Sequence, residues 1–160
     1  MTINENMIKL LNKMHLNDNI FPGSSLVRHI PHIDKFILQY NIKSMLDYGC
    51  GKAKHHPPQW NAALYDPGYP PFSEKPKGKY EMVISTDVLE HVEEEYVEEV
   101  LTEIFNYATK FVYLNISTRE AAKKLPDGRN AHVTVKPKSW WRKKVKDCSR
   151  SNVGYYISFD

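Results

Sequence analysis

Four short apolar segments, each closing on glycine or on a small polar or acidic residue, constrain this chain more than any other feature. Ser44–Tyr48 (SMLDY) runs into Gly49-Cys50-Gly51, and Ala62–Tyr65 (AALY) into Asp66-Pro67-Gly68. Tyr80–Ser85 (YEMVIS) runs into Thr86-Asp87, and Phe111–Ile116 (FVYLNI) into Ser117-Thr118. Near-continuous apolar runs bounded by turn residues predict strands buried on both faces. Between the third and fourth, Glu93 to Ala108 places Val97, Val100, Leu101, Ile104 and Phe105 at helical spacing. Strands alternating with helices predict an α/β fold with a mostly parallel sheet and helices on both of its faces.

The flanks add helices and one strand. Ile3, Met7, Leu10, Leu11 and Met14 form one apolar stripe, which predicts a helix docked on the domain, and Asn17 to Gly23 reads as a loop punctuated by Pro22-Gly23. Ser24 or Ser25 is expected to cap a helix reaching Tyr40, with Val27, Ile30, Ile33, Ile37 and Tyr40 inward and Pro31 forcing a kink or a late start. Residues 117–137 read as irregular, with Leu125-Pro126-Asp127-Gly128 as a turn. Ser139 is expected to cap a basic helix from Trp140 to Lys146, with one tryptophan of Trp140-Trp141 in the core, and Val153–Phe159 to form a last strand.

At 160 residues this is one domain's worth of chain. It divides into a helical cap over residues 1–40, a core over 44–118, and a substrate-side segment with the last strand over 119–160. No apolar run is long enough to span a membrane, the N-terminus is too polar for a signal peptide, and Cys50 and Cys148 make no disulfide framework. A cytoplasmic protein is expected. The net charge of +3 hides an asymmetry: Glu81 to Glu103 holds nine acidic residues and no Lys or Arg, whereas Arg119 to Arg150 holds eleven basic and three acidic. The acidic run predicts a solvated helix face, and the basic third predicts either solvated surface or attraction for an anionic substrate ahead of nucleic acid.

In an open parallel sheet, ligands sit beyond the carboxyl ends of the strands at the switch point of strand order. The polar closures named above therefore share one rim. Glycines at 49 and 51 let the backbone approach a ligand, and Asp66 ends the next strand, where a carboxylate can accept both hydroxyls of a ribose. A dinucleotide site is disfavoured, because Gly49-Cys50-Gly51-Lys52-Ala53-Lys54 lacks a third glycine and Pro57-Pro58 leaves little room for a long helix.

Leu46-Asp47-Tyr48-Gly49-Cys50-Gly51 resembles the first motif of class I S-adenosylmethionine-dependent methyltransferases, and Asp66 matches their ribose-binding acid. Tyr80–Ser85 followed by Asp87-Val88-Leu89-Glu90-His91-Val92 is similar to their fourth-strand signature, over a match spanning residues 40–118. Leu125–Gly128 through His132 to Lys136-Pro137 is more loosely similar to a segment of ubiquinone-pathway O-methyltransferases, and the whole chain looks most like compact methyltransferase-domain proteins of phages and marine bacteria. The resemblance implies a Rossmann-like sheet and an S-adenosylmethionine site at Asp47, Gly49, Cys50, Gly51, Asp66, Pro67, Asp87, Val88 and Leu89, leaving S-adenosylhomocysteine as product. Only Pro67 to Lys79 separates the second strand from the third, so the family's extra strand–helix unit there is expected to be missing, with a shortened C-terminus. Pro67, Tyr69 and Phe72 are the candidates to stack on the adenine.

Methyl transfer from a sulfonium is an in-line displacement in which the enzyme mainly positions the acceptor. A hydroxyl acceptor needs a general base, and His132 and His91 are the catalytic candidates, His132 preferred. No metal site is expected, since His55-His56 and His29/His32 lack the neighbours at ligand spacing that would complete one. The expected function is methylation of a small acceptor at oxygen, with anionic acceptors among the candidates. A catalytically inactive S-adenosylmethionine-binding regulator or cofactor sink is the alternative, and a nucleic-acid methyltransferase the third.

Overall fold

The sheet follows from alternation along its strands. In the computed structural model, which describes residues 4–17, 21 and 23–160, the strands are β1 (Met45–Tyr48), β2 (Ala63–Tyr65), β3 (Tyr80–Thr86), β4 (Ala108–Ile116) and β5 (Gly154–Phe159). They lie in the order β2-β1-β3-β4-β5, and every neighbouring pair is parallel. Successive side chains point to opposite faces. Leu46, Tyr48, Val83, Val112, Leu114 and Ile116 therefore enter one core layer, while Met45, Met82, Ile84, Phe111 and Tyr113 enter the other.

Helices cover both layers. The first layer is closed by α1 (Glu5–His15), α3 (Val97–Tyr107) and α4 (Lys138–Cys148), through Met7, Met14, the α3 stripe, Trp141 and Val145. The second is closed by α2 (Ile30–Gln39) through Ile33, together with Leu26 and Trp60. Trp60 also ties down α2, its Nε1–H donating to Asp34 at 2.7 Å. This is an α/β, Rossmann-like architecture. Between β2 and β3 the only regular structure is a short 3-10 turn at Pro70–Phe72, so no strand–helix unit intervenes. No helix among the described residues is long and apolar enough to cross a membrane.

Several boundaries differ from the sequence expectation. Ile3 and Pro22 lie outside the described residues. The segment after Ser24 opens as a 3-10 turn (Ser25–His29) before α2 begins at Ile30, with Pro31 in the first turn, where its missing N–H costs nothing. The tighter turn changes the helical phase: Leu26 is buried and Val27 is 48% exposed. Tyr40 is also at the surface, with its ring on Phe36 and Phe111. The acidic helix begins later than expected, at Val97 after a 3-10 turn, and Ala108 already belongs to β4. The basic helix starts earlier, at Lys138 after Pro137, so Ser139 lies inside it and caps nothing. Ser24 likewise makes no capping bond. Replacing either serine with alanine is expected to change stability by less than about 0.5 kcal/mol, against about 1 kcal/mol for a true cap, in urea unfolding.

The charge asymmetry resolves within the chain. The basic α4 packs along the acidic α3. Lys144 pairs with Glu98, Lys136 with Glu94 at 2.7 Å, and Arg129 with Glu93 at 3.1 Å. Trp141 is fully buried beneath this layer while Trp140 sits at its boundary, between Lys136 and Lys144.

Candidate functional site

β1 and β3 are neighbours whose chains leave the sheet in opposite directions, one toward β2 and the other toward β4. The crevice this creates at their carboxyl ends is where a ligand fits. A cleft of about 650 Å3 opens there. Its walls include Asp47, Gly49, Cys50, Gly51, Asp66, Pro67, Asp87 and Val88, with His91 and His132. Leu89 does not join them: its side chain is buried in the core. Of the three candidates for an adenine platform, Pro67 lines the cleft, while Tyr69 and Phe72 do not.

The floor is the loop after β1. The Gly49 and Cys50 amides donate to the Tyr65 carbonyl at 2.7 and 3.1 Å, which folds the loop across the end of β2. Gly49 has φ +90, and a Cβ there would lie 2.3 Å from Val88 Cγ2, so only glycine fits. Asp66 then braces the loop: Oδ2 accepts the Gly51 amide at 2.8 Å and Oδ1 the Gly68 amide at 2.7 Å. Burial pushes the Asp66 carboxyl up to about 6, against the pull of those two amides. A carboxylate has about four lone-pair sites, so two remain for a ligand's hydroxyls. Asp47 is buried beneath the loop, with His56 Nε2 at 3.2 Å, and burial raises its carboxyl as well. Cys50 is held as a thiol by burial and by the adjacent Asp47 and Asp66 carboxylates.

The opposite wall is built from Asp87, Glu90, His91 and the irregular segment 117–137. Asp87 follows β3 with φ +59, an unusual conformation for a residue with a Cβ. Glu90 is fully buried, and its Oε1 accepts the Ser117 amide at 2.9 Å from the end of β4. Burial and the adjacent Asp87 carboxylate raise the Glu90 carboxyl well above its ordinary range. Asp87 goes the other way: burial opposes its ionisation, but the Glu90 carboxyl beside it, with His91 and His132, holds it low. Burial lowers the His91 imidazole, so it is neutral at neutral pH.

Asn130 organises the irregular segment. Its Oδ1 accepts the Ala121 and His132 amides, each at 2.9 Å, and its Nδ2 donates to the Ala121 carbonyl at 2.9 Å. His132 Nδ1 lies 2.6 Å from the Arg119 carbonyl, and His91 Nδ1 lies 2.7 Å from the Ala131 carbonyl. Carbonyl oxygens only accept, so both rings carry a proton on Nδ1, and Nε2 is the nitrogen left to meet a ligand. The two rings meet edge to face, with centroids 4.9 Å apart. The two catalytic candidates therefore stand together on the wall facing the glycine loop.

Four further residues were not singled out by sequence reasoning. Glu90 stands within the signature quoted above, yet nothing local marks it as the buried member. His15 follows the apolar stripe of α1 and lines the cleft over Gly51, with its Nδ1 unpartnered and its ring against Phe21 and Tyr69. Burial, then Lys52 and His91, lower its imidazole to about 4. Arg28 and Arg119 line the mouth; Arg28 pairs with Asp160, while Arg119 has no carboxylate partner among the described residues. Compared with known proteins, the chain matches no family model, no curated protein and no solved structure.

Proposed function

We propose that this protein is an S-adenosylmethionine-dependent methyltransferase acting on the oxygen of a small acceptor. The observation that carries this reading is the convergence of the Gly49–Gly51 loop and Asp66 in one cleft at the β1/β3 switch point, facing His91 and His132. The loop backbone gives the cofactor's methionine end close approach, and the free lone pairs of Asp66 accept its ribose hydroxyls. Pro67 and Val88 offer apolar contact for the base. The acceptor lies against the opposite wall, with its oxygen toward the Nε2 atoms of His91 and His132. Holding acceptor and sulfonium in line is the main contribution expected of the chain. Arg119 at the mouth suits an acceptor that carries an anionic group.

The absence of a strand–helix unit between β2 and β3 favours a second reading, in which the chain binds the cofactor and does not turn it over. Calorimetric titration with S-adenosylmethionine, S-adenosylhomocysteine and, as control, NAD comes first. Micromolar binding of the first two without the third is expected, and no binding of either removes both readings. With an acceptor in hand, His132→Ala is expected to lower turnover at least tenfold while leaving cofactor affinity within about twofold. Binding without turnover of any hydroxyl acceptor would favour the regulator.

A further inference from the structure

The wall opposite the glycine loop holds a set of donors that acceptor binding alone does not account for. Asp87, Glu90, His91 and His132 each offer one ligand atom, and these atoms all lie within 4.8 Å of one another. A divalent ion with bonds of about 2.0–2.3 Å keeps its opposite ligands about 4.0–4.6 Å apart. Four donors this close need only small rotamer adjustments to meet one ion.

Two further observations point to a cation. Glu90 is fully buried, yet its Oε2 has no hydrogen-bond partner, although its Oε1 is satisfied by Ser117. Two buried carboxyl groups side by side hold either a shared proton or a cation, and an ion that displaces the proton is bound by both. Both imidazoles, moreover, are anchored through Nδ1–H to backbone carbonyls, of Ala131 and Arg119. That is the arrangement in which metal-binding histidines are oriented, with the second ring nitrogen left as donor. Asp87, His91 and His132 line the cleft, so the cluster opens onto it.

We propose that Asp87, Glu90, His91 and His132 bind one divalent cation at the rim of the cleft. Two carboxylate oxygens with two imidazole nitrogens form a mixed set that suits Mn2+ or Zn2+ better than Mg2+ or Ca2+, which favour oxygen alone. Four protein ligands leave room in a six-coordinate ion for an oxygen of the acceptor. That role rests on the methyltransferase reading, whereas the binding site itself rests on side-chain geometry. In this arrangement His91 and His132 are ligands and not general bases.

The test is calorimetric titration of the metal-stripped full chain with Mn2+, and separately Zn2+, in the absence of S-adenosylmethionine. One ion per chain at micromolar affinity is expected. His132→Ala and Asp87→Asn, each confirmed folded by its thermal melt, are expected to weaken Mn2+ binding at least tenfold. No saturable uptake of either ion at millimolar concentration by the folded wild type overturns the proposal, as does wild-type affinity in either variant. Because the titration contains no cofactor, it can fail while S-adenosylmethionine still binds, and the converse holds.

Discussion

Gly49→Ala is expected to abolish cofactor binding and to cost about 2–5 kcal/mol of stability. Two separate effects add there. The residue has φ +90, a region that costs a residue with a Cβ about 1–2 kcal/mol. The new methyl would also lie 2.3 and 2.8 Å from the two Val88 methyl carbons, which forces a shift of β1 or of the turn after β3. Overpacking of this kind costs about 1–3 kcal/mol. Because both sides of the contact line the cleft, the shift also displaces the loop backbone that shapes the ligand side of the cleft.

Adding Val88→Ala to this variant separates the two effects. The double variant removes both methyl contacts, leaves only the residue 88 Cβ at 3.1 Å, and keeps the backbone strain, so it is expected to recover most of the packing part of the loss relative to Val88→Ala alone. The residual cost should be about 1–2 kcal/mol. Urea unfolding measures both variants, and titration with S-adenosylmethionine reports on the loop. A single Gly49→Ala variant that unfolds and binds like the wild type would mean that the loop does not cross Val88 as described.

What was legible in the sequence and what was not divide by the range of the interactions. β1, β3 and β4 announce themselves because two-faced burial writes a continuous apolar run, and the loop after β1 because its glycines are local to it. Pro67 to Lys79 is too short for another strand–helix unit, a matter of counting, and the structure has none there. Helix starts were read less well. Ser24 and Ser139 have the chemistry of caps, but capping depends on where the preceding backbone turns, and Pro31 and Pro137 decided that instead.

On the candidate site, Asp47, Asp66 and Asp87 stand out by residue type and position at the strand ends, and His91 and His132 as the histidines able to serve as a general base. Glu90 and Asn130 do not, because their roles depend on partners distant in sequence or within an irregular segment. Glu90 is defined by an amide 27 residues away, and Asn130 by a loop that closes on Ala121. The histidine pairs weighed for metal, His55-His56 and His29/His32, lie within three residues of each other in sequence. The cluster that gathers in space joins residues 87–91 to residue 132, across the whole of α3 and β4.

Asp66 produces the other large effect, and its sign reverses between folding and binding. Its carboxyl titrates at about 6 in the folded chain and near 3.8 when exposed, so the proton favours the folded state. The stabilisation from protonation is fully present below pH 3.8 and is lost as the pH rises through about 6. At about 1.4 kcal/mol per pH unit the loss amounts to roughly 3 kcal/mol. Asp66→Asn cannot ionise, so the stability of wild type minus that of Asp66→Asn should fall by this amount between pH 3 and pH 7 in urea unfolding. The subtraction removes the titration of His15, His91 and Glu90, which the two proteins share. Ribose hydroxyls, by contrast, need the ionised acceptor. Wild-type affinity for S-adenosylmethionine is therefore expected to rise as the pH passes 6, while Asp66→Ala binds at least tenfold more weakly at pH 7, having lost charge-assisted hydrogen bonds worth about 1.5–3 kcal/mol. A stability difference that moves as expected while affinity stays flat would keep Asp66 as the brace of the glycine loop and remove it from the ligand. Both moving together, in opposite directions, is what a carboxylate shared between loop and ribose requires.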